Sequence, residues 1–429
     1  MNNSLSKRDS HVIWHPYTQH QKMEEPIPIV KGDGALLFDE DGNTYIDAVS
    51  SWWVNLHGHG HPYIAEKIYK QALVLEHVIF THFTHQPAVE LAERILNILP
   101  GKFSKVFYSD NGSTAVEVSL KMAIQFWKNQ GHPGRNKILA FNHAYHGDTF
   151  GSMSVSARGL FTNCFKEFLF DTIFIDTPHA GNLEEIRSVV RSYHGQIAAF
   201  IYEPLLQAAG GMLMYQAKYL DELLSVLQAE NILCIADEVL TGFGRTGPLF
   251  AGESISHHAD MICLSKGLTG GTMALGITAC NQNIFNAFLS TDRTKTFYHG
   301  HSFTANPLAC TAGLASLDLL EKTFCREQIQ WIRQQHEEFV RNELSVTGME
   351  LLVNIRTMGT ILAFELNTGK NEYINEVSAT IMGKALSQGI YLRPLGNTVY
   401  IMPPYCITAE QLRRIYQFIL AIPDFIRKN

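Results

Sequence analysis

Apolar residues recur at helix spacing between positions 88 and 99, where Ala88, Leu91, Ala92, Ile95, Leu96 and Leu99 fall on one face. Pro87 opens this stretch and Pro100-Gly101 closes it, so it predicts an amphipathic helix with its stripe turned to a core. KVFYS (105–109) predicts a strand, DNGST (110–114) a glycine turn, and Val116, Leu120, Ala123 and Trp127 one face of a following helix. Short, continuous apolar runs recur at KILAF (137–141), IAAFIY (197–202), NILCIA (231–236) and MICL (261–264), each followed by polar or glycine-rich residues. Strands buried on both faces of a parallel sheet read this way. Their alternation with helix-period stretches predicts an α/β fold with a mostly parallel sheet covered by helices. After about residue 310 the pattern changes: one long amphipathic helix (roughly 307–345) leads to GTILAFEL (359–366) and more alternating elements, which predicts a smaller domain with no flexible linker at its border.

Composition narrows the function classes. The chain has 429 residues, 46% of them hydrophobic and 17% charged, enough for a large core in two or three domains and too little charge for disorder. A net charge of −7 without a concentration of Lys and Arg argues against nucleic acid as partner. No apolar run approaches the ~20 residues that span a bilayer, and MNNSLSKRDSHVIWHPY lacks a secretory apolar region, so no membrane and a cytoplasmic address are expected. The seven cysteines, from Cys164 to Cys406 without a C-x-x-C, read as reduced core thiols. His57, His59 and His61 alternate in HGHGH, and His82/His85 and His143/His146 follow, which raises metal ligation. Glycines separate the first three and Pro62 ends the run, so a loop entering a helix is the plainer reading, and without H-E-x-x-H no metal is expected.

In open α/β sheets ligands collect outside the carboxyl ends of the strands. The segments there are DNGST (110–114), NHAYHGD (142–148), EP (203–204), DEVLTGFGRTG (237–247) and SKGLTGG (265–271). Lys266 follows an apolar strand; desolvation would lower its pKa and free a nucleophilic amine for Schiff-base chemistry. A lone S-K-G reads as well as a lysine snorkelling to water. Asp237 closes NILCIA with a carboxylate that needs a cationic partner or hydrogen bonds. If Lys266 carries pyridoxal phosphate, that partner is the pyridinium nitrogen, and one hypothesis explains both residues. The loop 110–114 before a helix offers backbone N–H groups, a glycine and hydroxyls to a phosphate, although alone it is equally an N-cap.

Taken together, G-S-T before a helix, A-Y-H-G-D, E-P, A-D-E-V-x-T-G-F-G-R-T-G, S-K-G-L-T-G-G and H-G-H-S-F-x-A-N-P-L-A resemble the class III (omega) aminotransferases, pyridoxal 5′-phosphate-dependent transferases of fold type I. The resemblance covers nearly the whole chain. It implies a large domain with a mostly parallel sheet at 56–306 and a smaller α+β domain built from 1–55 and 307–429. It also implies Lys266 as the lysine joined to pyridoxal 5′-phosphate, Asp237 on the pyridinium nitrogen, Gly112 and Ser113 at the phosphate, Tyr145 on one face of the ring and Val239 on the other. A homodimer is implied too, in which Ser302 of the second chain completes the phosphate site. Many relatives have threonine there, and His301 stands where some have proline.

I-W-H-P-Y-T at 13–18, S-S-W-W at 50–53, R-P-L-G at 393–396 and M-P-P-Y at 402–405 narrow the resemblance to members that aminate 8-amino-7-oxononanoate to 7,8-diaminononanoate in biotin biosynthesis. The implied donor is S-adenosylmethionine, favoured by Trp52-Trp53; lysine is the alternative donor, since synthases that use it share H-G-H-S-F. On this resemblance Arg393 clamps the acceptor carboxylate with a bidentate pair. Tyr17, Trp52, Trp53, Tyr145, Asp148 and Gly300 shape the substrate channel, and Tyr17 joins Lys266 and Asp237 in catalysis. Trp52 and Trp53 read as neighbours on an extended segment that face opposite ways. Arg245 is open between a site role and a structural one holding a loop carboxylate. A metallohydrolase built on the histidines is the competing class.

Overall fold

The structure, a computed structural model, describes residues 4–345, 350–367 and 376–426. Residues 1–3 and 427–429, the outer ends of the expected 1–55 and 307–429 segments, lie outside them. Seven strands form the main sheet in the order Lys105–Ser109, Gly276–Cys280, Met261–Leu264, Leu233–Asp237, Ile197–Tyr202, Lys137–Phe141, Thr172–Ile175. Neighbours from Met261–Leu264 to Thr172–Ile175 pair in parallel. Gly276–Cys280 alone runs against its neighbours on both sides.

The unbroken apolarity of the central strands follows from cover on both faces. Ile201, Leu233, Ile235, Met261 and Cys263 pack with Val116, Leu120 and Phe126 of the helix Gly112–Asn129, whereas Phe200, Tyr202, Cys234, Ile262 and Leu264 pack with Leu220, Leu224 and Leu227 of Ala217–Ala229. Each alternate residue therefore meets a different layer, and none meets water.

A four-stranded sheet joins the two ends of the chain: Ile29–Asp33, Leu36–Asp39 and Thr44–Asp47 form a meander, and Ile390–Tyr391 pairs in parallel with the last of them. Leu352–Met358, Ile361–Leu366 and Thr398–Ile401 make a three-stranded antiparallel sheet nearby in sequence.

The expected single helix over 307–345 is two helices, Pro307–Leu320 and Thr323–Phe339, followed by a wider turn at Val340–Leu344. Lys322, extended at ψ 138°, redirects the chain. The reason is burial: the first helix is enclosed nearly all round, while the second buries only the stripe Cys325, Ile329, Ile332, His336 and Phe339, and one straight rod cannot satisfy both. Five cysteines are buried, but Cys164 is exposed and Cys406 half-buried, so the core-thiol reading fails for those two. Among the described residues no helix is long and apolar enough to cross a membrane.

Candidate active site

The carboxyl ends of the parallel strands open into a cavity of about 540 Å³, a size suited to a small ligand. Lys266, Asp237, Val239, Gly112, Ser113 and Tyr145 all line it. Asp237 is in register with Cys263 on the adjacent strand, so Lys266, just past the end of that strand, stands beside it. Lys266 has φ 41°, a left-handed conformation rare for a side-chain-bearing residue and typical of functional turns. Its Nζ lies 5.1 Å from the centre of the Trp53 ring. Burial lowers the pKa of this amine and Arg245 adds to that, against the pull of Asp237 and Glu203.

Asp237 is held from two sides. Its Oδ1 accepts the Val239 N–H at 3.1 Å and its Oδ2 lies 2.7 Å from His146 Nδ1. Nε2 of His146 is buried without a partner among the described residues. At the start of Gly112–Asn129, the Asn111 side chain accepts the Thr114 N–H at 3.0 Å and Thr114 Oγ1 accepts the Asn111 N–H at 3.1 Å, a reciprocal cap. Among the described residues the Gly112 and Ser113 N–H groups meet no acceptor, and they sit at the positive end of the helix dipole. A Cβ on Gly112 would stand 2.7 Å from Val239 Cγ1, so only glycine lets the helix start this close to the valine.

Glu203, fully enclosed, fastens two backbone segments of the wall, accepting the Tyr145 N–H and the Ala208 N–H at 3.0 Å each. Burial pushes its pKa up to about 7. The Tyr145 hydroxyl is 3.1 Å from that of Tyr17, which also donates to Asp148.

Trp52 and Trp53 do not lie on an extended segment. Ser50, Ser51 and Trp53 have φ of 53°, 59° and 68°, a tight left-handed turn that sends the two indoles to different places. Trp53 is buried, donating to the Tyr400 hydroxyl at 2.8 Å, while Trp52 stays 39% exposed. Arg393 stacks on Trp52, 4.0 Å from the ring centre, and lies 5.9 Å from that of Tyr17. Among the described residues no carboxylate pairs with it. Among the described residues Arg245 holds no loop carboxylate: its buried guanidinium donates to the carbonyls of Pro403 at 3.0 Å, Asn55 at 2.9 Å and Trp53 at 3.3 Å. Gly300 and Ser302 are exposed and do not line the cavity of their own chain.

The histidine clusters are divided among separate partners: His57 bonds Ser316, His59 bonds Asp47 and His85 bonds the Ala305 carbonyl. His146 and Glu203 are site residues that sequence reasoning missed, although both stand in motifs at strand ends. In the sequence His146 pairs with His143 as a metal candidate, and nothing local marks Glu203 as a clamp. The donor set fits pyridoxal phosphate: an amine of lowered pKa, a buried carboxylate for a ring nitrogen, and free N–H groups at a helix start for the phosphate.

Residues 17–422 match the family model described as aminotransferase class-III. An adenosylmethionine-8-amino-7-oxononanoate aminotransferase of Synechococcus elongatus is 45% identical, with 96% of this chain and 99% of that one aligned. The protein of the same name from Geobacter sulfurreducens is 39% identical over 95% of each. The crystal structure of the Methanocaldococcus jannaschii protein of that name superposes with a TM-score of 0.92 at 34% identity, covering 99% of this chain and 98% of the other. An omega transaminase of Pseudomonas jessenii, solved in complex with PMP, gives 0.91 at 27% identity, covering 99% and 98%. With the matched model spanning almost the whole chain and the strand-end cavity suited to the cofactor, the chain belongs to the class-III aminotransferase family.

Proposed function

We propose that the chain transfers an amino group from S-adenosylmethionine to 8-amino-7-oxononanoate, yielding 7,8-diaminononanoate for biotin synthesis, as a cytoplasmic homodimer. The observation that carries the substrate choice is the stack of Arg393 on Trp52 beside Tyr17, next to the cavity that holds Lys266. Among the described residues Arg393 has no carboxylate partner, which leaves it open to a substrate carboxylate, and the indole and phenol beside it suit the apolar chain of an oxononanoate. The names of the full-length relatives support the same substrates.

Pyridoxal phosphate, when bound, supplies the electron-accepting ring on which the amino group is carried between substrates. The chain does the rest. Lys266, whose amine pKa is lowered by burial, would hold the cofactor and would serve as the base and acid that moves the proton at the reacting carbon. Asp237, steadied by His146, would meet the ring nitrogen. The Gly112 and Ser113 N–H groups would hold the phosphate, with Ser302 from the partner subunit completing that site. Tyr145 and Val239 would enclose the ring. Tyr17, Trp52, Trp53, Asp148 and Gly300 form the channel that both substrates enter in turn.

The test is a pair of half-reactions followed by visible absorbance. S-adenosylmethionine should convert the yellow enzyme to its amino form, and 8-amino-7-oxononanoate should restore the colour. Conversion by lysine but not by S-adenosylmethionine overturns the donor, and failure of the second step overturns the acceptor. Lys266→Ala should abolish turnover without lowering the melting temperature.

A further inference from the structure

The HGHGH motif has no place in the chemistry described above, yet one of its histidines reaches the wall of the cavity through a single carboxylate. We propose that Asp47, held by His59, is the positioning residue that sets the tryptophan turn 50–53 and thereby the substrate wall. Asp47 is fully buried. Its Oδ1 accepts the N–H of Ser51 at 2.8 Å and of Val49 at 3.2 Å; its Oδ2 accepts the Ser51 hydroxyl and the His59 Nε2–H, each at 2.9 Å. Three of these four bonds go to the residues that enter the turn.

The turn needs such a hold. Ser50, Ser51 and Trp53 are non-glycine residues at positive φ, and conformations of that kind persist only where the surroundings over-determine them. Ser50 is tied to the Met402 carbonyl at 2.7 Å and Arg245 grips the carbonyls of Trp53 and Asn55, so Asp47 supplies the hold on Ser51, the residue directly before the indoles. From this one turn Trp53 reaches within 5.1 Å of the Lys266 amine and Trp52 meets Arg393. A small rotation at Ser51 therefore moves both ends of the wall.

His59 is fixed in one tautomer by its neighbours. Asn55 Oδ1 accepts the Gly58 N–H at 2.7 Å, which turns the Asn55 amide nitrogen toward His59 Nδ1, 3.2 Å away. Nδ1 is then an acceptor and Nε2 carries the hydrogen given to Asp47. Every group around the carboxylate is a donor, so an amide in its place would set N–H against N–H.

The experiment is Asp47→Asn in the holoenzyme, with the kinetic arm resting on the acceptor proposed above. Hydrogen exchange in peptides covering residues 48–55 should quicken at least tenfold, and the KM for 8-amino-7-oxononanoate should rise about tenfold while kcat and the visible spectrum change little. Should that variant not fold, His59→Ala and His59→Gln replace it: the alanine should shift KM and exchange in the same direction, and the glutamine, which restores an N–H to Asp47, should recover most of the loss. Unchanged KM and unchanged exchange at 48–55 in a folded variant overturn the proposal, as does an equal quickening throughout the chain. Wild-type enzyme inert toward 8-amino-7-oxononanoate would defeat the substrate reading alone, and the exchange measurement would still decide the role of Asp47.

Discussion

His146 Nδ1 lies 2.7 Å from Asp237 Oδ2, with the histidine side chain wholly enclosed and the carboxylate nearly so. Hydrogen bonds to charged groups contribute about 1.5–3 kcal/mol, roughly ten- to hundredfold in an equilibrium. His146→Ala should weaken pyridoxal phosphate binding by a factor in that range, read by titrating the apoenzyme and following visible absorbance. Unaltered affinity would reduce His146 to a packing residue.

Gly112 and Val239 should be coupled. Gly112→Ala places a methyl 2.7 Å from Val239 Cγ1, which should push the helix start away from the proposed phosphate position. Cofactor affinity should fall about tenfold or more, and Val239→Ala in the same chain should restore a substantial part of it. A double-mutant cycle checks this; strict additivity would place the defect elsewhere.

Arg393→Ala should separate the half-reactions. On the proposed function only the acceptor is expected to place its terminal carboxylate at this guanidinium, so the acceptor step should lose about ten- to hundredfold and the donor step much less. Single-turnover kinetics of each step decide it. Equal slowing of both would mean that Arg393 serves to hold Trp52.

His336 predicts an acid-sensitive component of stability. It is buried with Nδ1 2.7 Å from the Tyr416 hydroxyl and Nε2 3.1 Å from the Thr360 carbonyl, and burial lowers its pKa to about 4 from an ordinary 6.5. The unfolded chain binds the proton first, so this stability is full above pH 6.5 and is lost as the pH falls through about 4. The amount is on the order of 3 kcal/mol. Glu203 and Glu238, raised to about 7 by burial, act the other way: their contribution is full below about 4.5 and lost as the pH rises through 7. The check is therefore a difference: denaturant unfolding of wild type and His336→Gln between pH 4 and 7 should show a shallower acid loss in the variant.

Legibility in the sequence followed how local the cause was. KVFYS, KILAF, IAAFIY and MICL coincide with strands; in IAAFIY and MICL cover on both faces buries every residue, while Lys105 of KVFYS and Lys137 of KILAF stand at the less covered strand starts. GITAC (276–280) is short and mixed and does not stand out in the sequence, yet it is the reversed strand that joins Lys105–Ser109 to the sheet. Lys266 and Asp237 could be suspected because each ends an apolar run. Glu203 also ends an apolar run, but its role as a clamp on the Tyr145 and Ala208 N–H groups, like that of Asp47 on the tryptophan turn, is not legible because those partners converge only after folding. S-S-W-W reads as extended, since nothing in it announces the positive φ of Ser50, Ser51 and Trp53.

The tryptophan turn also has a place in time. Ser50 bonds Met402 across 352 residues and Trp53 bonds Tyr400 across 347, and Ile390–Tyr391 closes the sheet begun by Ile29–Asp33. A ribosome delivers the indoles early and their supports last. A nascent chain already carrying Lys266, Asp237 and the helix at Gly112 still lacks the substrate wall, and contacts of such long sequence separation form slowly. The turn that carries the indoles is thus fixed only after the segment around Tyr400 and Met402 has been made and has docked.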